Sequence, residues 1–141
     1  MLKGVNWIAV IIAVVLFEAL GMLWYGPLFG KAWLAAMGHT PDMANQNTMM
    51  AIGVVNTLIC VLGLSWLINK VGAATLTAAI TTAVTAWFVF SFTTQAAEYL
   101  YMGMSLQVLE INAGFLLVGF VISAATLNLV KFGASTQAAA A

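Results

Sequence analysis

Few side chains in this 141-residue sequence stand where they can do chemistry, because most of its polar residues lie between long apolar runs. Glu18, Asn56 and Asn112 are the exceptions, each set inside such a run. A carboxyl near mid-bilayer costs about 2.5–3.5 kcal/mol on insertion scales, so Glu18 is protonated, hydrogen-bonded or facing water. Two chemistries follow: a buried polar lock between helices, or a site for a proton or a small ligand. Depth selects the partners. Glu18 lies about two turns from the aromatic pair Trp24 and Tyr25, and Asn56 and Asn112 lie similarly deep in their own runs. A cluster of Glu18, Asn56 and Asn112 is therefore predicted as the candidate buried polar or proton site. His39 and Asp42 share a polar loop but fall far short of a metal ligand set, and no metal is expected. Cys60 is the single cysteine, so no disulfide closes within the chain. There is no His cluster, no Ser or Cys with a base nearby and no phosphate loop. Neither an enzyme nor a cofactor is expected.

The elements that position these groups follow from composition. The chain is 64% hydrophobic and 6% charged, with a mean hydropathy of +1.07; a water-soluble domain carries about 25% charged residues. An all-α integral membrane protein is the predicted fold class. Four lysines, no arginine and a net charge of zero give no basic face, which excludes a nucleic-acid partner. A crossing helix needs about 20 mainly apolar residues, and four segments qualify, roughly residues 5–26, 48–69, 72–94 and 106–130. Together they predict one four-span membrane domain over residues 1–133, a four-transmembrane-helix bundle, followed by a frayed Ala-rich tail at 134–141. The first run is too long for a signal peptide and lacks a cleavage site, so it reads as a retained span.

Gly26 and Pro27 stop the first helix. Trp24, Tyr25, Gly26, Pro27, Phe29, Lys31 and Trp33 form an anchor motif suited to a membrane-water boundary, and residues 28–37 fit a short interfacial helix. Gly38 ends it, and Thr40, Pro41 and Asp42 look like a fresh helix start. In the second span Gly53, Asn56, Thr57, Cys60 and Gly63 share one face, the pattern of close helix packing in lipid. Leucine at position 53 or 63 is accordingly expected to disrupt folding. The third span is rich in threonine and carries Trp87 well inside it. Residues 95–105 are expected as a loop that turns at Gly103, and Ser105 caps the fourth helix. Lys3, Lys70 and Lys131 fall on the side of the termini and Lys31 on the other, so the positive-inside rule places both termini in the cytoplasm.

Two passages carry a resemblance. Leu20-Gly21-Met22-Leu23-Trp24-Tyr25-Gly26-Pro27-Leu28-Phe29-Gly30-Lys31-Ala32-Trp33 and Glu110-Ile111-Asn112-Ala113-Gly114-Phe115 resemble the small bacterial membrane family catalogued as domain of unknown function 1761. The resemblance spans about residues 5–130 and implies four spans in a bacterial cytoplasmic (inner) membrane; it implies no biochemical activity and no catalytic residue. Four short spans with Glu18-Ala19-Leu20-Gly21 in the first are also similar to the small multidrug resistance transporters, where such a Glu binds protons and cationic drugs. The function expected is that of a structural or accessory membrane subunit with a polar lock at Glu18. The alternative is a proton-coupled small-molecule transporter using Glu18. The lipid bilayer is the implied partner, within a homo-oligomer or a larger membrane complex.

Overall fold

A computed structural model describes residues 5–38 and 44–130, all of whose regular structure is helical. The helix start at Thr40-Pro41-Asp42, His39, the lysines Lys3 and Lys131, and the tail at 134–141 lie outside the described residues. The elements in order are α1 (Trp7–Leu23), a wide π turn (Trp24–Leu28), α2 (Gly30–Met37), α3 (Gln46–Lys70), α4 (Leu76–Ala86), a second π segment (Trp87–Phe92), α5 (Thr93–Met102) and α6 (Leu106–Leu129). Four continuous stretches, Trp7–Leu28, Gln46–Lys70, Leu76–Met102 and Leu106–Leu129, are long and apolar enough to cross a membrane. The chain is a multi-pass membrane protein.

The ends of the helices are written in short polar and glycine signals. Asn6 Oδ1 accepts from Ala9 N–H at 3.2 Å, Thr75 Oγ1 from Ala78 N–H at 3.2 Å and Ser105 Oγ from Val108 N–H at 3.3 Å, three side-chain caps at three helix starts. Gly38, Gly72 and Gly103 take positive φ where α2, α3 and α5 finish. The third span runs further than its sequence suggests, since residues 95–102, expected as loop, are helical. No Gly or Pro interrupts the chain before Gly103, and the Trp87–Phe92 segment widens the helix without ending it. Hydroxyls inside the spans bond back to their own helix: Thr82 donates to Ala78 O and Thr126 to Ile122 O, both at 2.8 Å.

α6 is the central helix, touched by α1, α2, α3, α4 and α5. The core lies toward the end of the bundle where Asn6 and Val130 meet. There Val10, Ala13 and Phe17 of α1 meet Val61, Leu64 and Ile68 of α3, Ala79, Ala83 and Ala86 of α4, and Phe120 and Ala124 of α6. The three alanines at helical spacing bring the α4 backbone close, as small residues do where lipid supplies no hydrophobic drive between helices. Asn6 Nδ2 donates to Val130 O at 2.6 Å and Asn128 Nδ2 to Ala74 O at 3.2 Å, closing this end of the bundle. At the opposite end α3 diverges, and every residue of 46–56 is exposed.

Candidate functional site

The site begins at the kink. Pro27 has no N–H to continue α1, and Gly26 takes a non-helical conformation, φ −98° and ψ −107°. Phe29 N–H reaches back to Trp24 O at 2.8 Å, so the chain turns through a wide loop and re-enters as α2. Gly30 is required at that re-entry, because a Cβ there would meet the Tyr25 carbonyl oxygen. The turn throws Trp24 and Tyr25 toward α6, and α2 brings Trp33 beside them. Tyr25 packs edge-on against both Trp33 (5.3 Å between ring centroids) and Phe115 (5.1 Å), while Trp24 lies 4.6 Å from Phe29.

These rings bring their donors to three successive residues of α6. Trp24 Nε1 donates to Ile111 O at 3.0 Å, and Trp87 Nε1, from the second π segment, donates to Ala113 O at 3.1 Å. Each carbonyl uses its second lone pair, leaving the helix bond intact. Between them Asn112 is a hub. Its Oδ1 accepts from Tyr25 O–H at 2.8 Å and from Trp33 Nε1 at 3.1 Å, and its Nδ2 donates to Tyr99 Oη at 2.8 Å. One amide thus ties the turn that ends the first span, α2, α5 and α6 together. The glycines give the rings their room: a Cβ on Gly114 would sit 3.2 Å from the Trp24 ring, one on Gly21 3.5 Å from Phe115, and one on Gly119 inside the space of the Phe17 ring.

Glu18, Asn56 and Asn112 do not come together. Asn112 is committed to Tyr25, Trp33 and Tyr99, and Asn56 is exposed on α3. Glu18 is half-buried and lines a cleft of about 570 Å³ between α1 and the diverging half of α3. The three groups lie at compatible depths along the sequence, but Asn56 is exposed and does not line the Glu18 cleft, where α3 presents Gln46, Met50, Gly53 and Val54. The packing face expected on α3 also differs. Gly53 is exposed, and Cβ atoms on Gly53 or Gly63 would meet nothing within 4 Å. Thr57 is half-buried, while Cys60 and Gly63 border a cavity of about 190 Å³ beside Ser91 and Phe120. The α3 seam runs instead through Val61, Leu64, Ser65 and Ile68. The tight glycine contacts belong to Gly30 of α2 and to Gly114 and Gly119 of α6. Of the anchor motif, Gly26, Pro27, Phe29 and Lys31 are exposed, and Trp24, Tyr25 and Trp33 are half-buried against α6.

Tyr99, which its sequence position marks only as an aromatic of the membrane interface, and the carbonyl acceptors of Ile111 and Ala113 join the site without having been among its candidates. A signal for Tyr99 existed: the short turn at 103–105 makes α5 and α6 antiparallel neighbours, leaving Tyr99 and Asn112 within about a turn of the same level. Backbone acceptors inside a helix leave no mark in a sequence.

No curated protein and no solved structure matches the chain. The passages that meet at Asn112, residues 20–33 and 110–115, both lie within residues 8–128, which match a family model described as protein of unknown function (DUF1761), and the chain belongs to that family.

Proposed function

We infer that this chain is a non-enzymatic structural or accessory subunit of a bacterial cytoplasmic membrane, with both termini in the cytoplasm and α2 resting in the opposite interface. One observation carries the reading. Three indoles and two phenols, from the turn that ends the first span, from α2 and from the third span, converge on the Asn112 amide and its neighbouring carbonyls in α6, and their hydrogen bonds hold helix to helix. The polar lock expected at Glu18 is thus assigned to Asn112. A bundle fixed in this way presents a rigid surface to neighbouring membrane proteins or to a second copy of itself.

Transport is the second reading, supported by the Glu18 cleft. Proteoliposomes under an imposed pH gradient separate the two, with an internal pH dye as the readout and phenylbutylammonium added as a trial substrate. The subunit reading predicts proton movement no faster than in protein-free liposomes, for the wild type and for Glu18→Gln alike. A wild-type flux that Glu18→Gln abolishes would replace it with transport.

The orientation has its own test. In a Cys60→Ala background, Asn45→Cys is expected to react with a membrane-impermeant maleimide added outside intact cells, and Ser135→Cys only after lysis. The opposite pattern reverses the topology.

A further inference from the structure

α3 turns one row of its side chains away from the bundle. The geometry points to that row as the seam of a parallel homodimer, in which α3 of a second copy packs along it and the two Asn56 amides bond to each other.

Spacing is the first argument. Met49, Ile52, Asn56, Ile59, Gly63 and Trp66 recur at alternating steps of three and four residues, the a and d positions of a heptad. At about 3.6 residues per turn they fall on the side of α3 opposite Val61, Leu64 and Ile68, which face the core. Met49, Ile52 and Ile59 are 61–64% exposed and Trp66 42%. Gly53 and Val55 beside the row are exposed as well, so side chains from a second helix find open holes between them. Two helices that mesh in this way cross at about 20°, the usual arrangement in membrane bundles.

Apolar exposure alone suits lipid tails equally well; Asn56 selects the occupant. It lies ten residues from Gln46 and fourteen from Lys70, roughly 15 and 21 Å along the helix, too deep for a short side chain to reach the headgroups. The residue is exposed, and its amide makes no hydrogen bond among the described residues. An unpaired amide in hydrocarbon is costly, and acyl chains offer it neither donor nor acceptor. An amide is its own complement: each carries N–H donors and a carbonyl acceptor, so two copies satisfy one another across a two-fold axis. A single Asn at an a position meets its equivalent when the helices are parallel and in register, which is how such a residue fixes a dimer. Copies that share one membrane topology present α3 in that sense. Gly63, one heptad along, lets the two backbones approach; a Cβ there would meet nothing within 4 Å in the bundle itself. The assignment rests on the accessory-subunit reading, naming a second copy as the neighbour, and the two fail separately: a chain that stays monomeric leaves that reading standing, since it falls on Glu18-dependent flux.

The test places the full chain, singly labelled with a fluorophore, in phosphatidylcholine liposomes and counts photobleaching steps over a range of protein-to-lipid ratios. The wild type is expected to dimerise, and Asn56→Val to weaken the dimer at least about tenfold, a difference of about 1.4 kcal/mol. Gly63→Leu is expected to weaken it as well by holding the helices apart, and Ile11→Ala, exposed on α1, to change nothing. A second measurement keeps Asn56 in place. In a Cys60→Ala background, Ile52→Cys is expected to form a disulfide with its own equivalent under copper phenanthroline, whereas Val15→Cys, exposed on α1, is not. An antiparallel pair of α3 helices meeting at their midpoints would hold the thiols at position 52 roughly 18 Å apart. A wild type that stays monomeric at every ratio, an Asn56→Val dimer as tight as the wild type's, or an Ile52→Cys chain that fails to cross-link would each overturn the assignment.

Discussion

Asn112→Leu is expected to lower the unfolding free energy by about 2–4 kcal/mol, measured by denaturant titration in detergent micelles. Single interhelical hydrogen bonds in membrane proteins average about 0.6 kcal/mol, with a maximum near about 1.7. Three bonds to Asn112 thus account for roughly 2 kcal/mol. The remainder comes from the stranded partners. Leucine offers neither acceptor nor donor, so the Tyr25 hydroxyl and the Trp33 indole N–H lose their shared acceptor while still held against α6. A donor left unsatisfied in low dielectric costs more than its bond contributed. Tyr25→Phe makes the useful contrast, because it removes one donor and leaves Asn112 bonded to Trp33 and Tyr99. Its expected loss is that of one bond, about 0.6–1.7 kcal/mol. An Asn112→Leu loss no larger than the Tyr25→Phe loss would mean that the amide is not a hub.

Gly119→Leu carries the second large effect. Phe17 is only 3% exposed, and its ring lies over Gly119 where a Cβ would have to go. The ring cannot withdraw easily, because Phe115 packs on it at 5.3 Å between centroids. Overpacking of this kind costs about 1–3 kcal/mol and sometimes more. Alanine at 119 sets that cost against the gain in helix propensity over glycine, about 1 kcal/mol, for a net loss of about 0–2. Leucine adds three further carbons in the same space, so its loss is expected to exceed about 3 kcal/mol, or to prevent folding. Gly53→Ala has the propensity gain without the clash and is expected to leave stability unchanged or raised, by up to about 1 kcal/mol. Equal effects at 119 and 53 would contradict the placement of the α1–α6 seam.

The contrast between these glycines shows what the sequence could and could not convey. Hydropathy located the four crossing segments, and Asn6, Thr75, Ser105, Gly38, Gly72 and Gly103 mark helix ends through local chemistry that needs no tertiary context. Rotation about the helix axis is different. Gly53, Asn56, Cys60 and Gly63 form a stripe as regular as any in the chain, yet part of it faces open space, whereas Gly119 sits in a less conspicuous pattern and bears the tightest contact. In lipid both faces of a span are apolar, so no amphipathic signal fixes which side meets the bundle. Glu18 drew attention because a carboxylate in a span is expensive; that cost says a partner or an opening exists without saying which. Asn112 was legible as a candidate and Tyr25 and Trp33 as anchors, but their meeting depends on the kink at Gly26 and Pro27 turning α2 back over α6.

The central claim is that Asn112, and not Glu18, locks α1 to α6, and a double-mutant cycle on unfolding free energy tests it most directly. Tyr25→Phe combined with Asn112→Leu is predicted to be non-additive by about 0.6–1.7 kcal/mol, the size of one interhelical bond. Glu18→Gln combined with Asn112→Leu is predicted to be additive within about 0.5 kcal/mol, as for groups that share no partner. Additive behaviour of the Tyr25 pair together with coupling of the Glu18 pair would contradict the account and return the lock to Glu18.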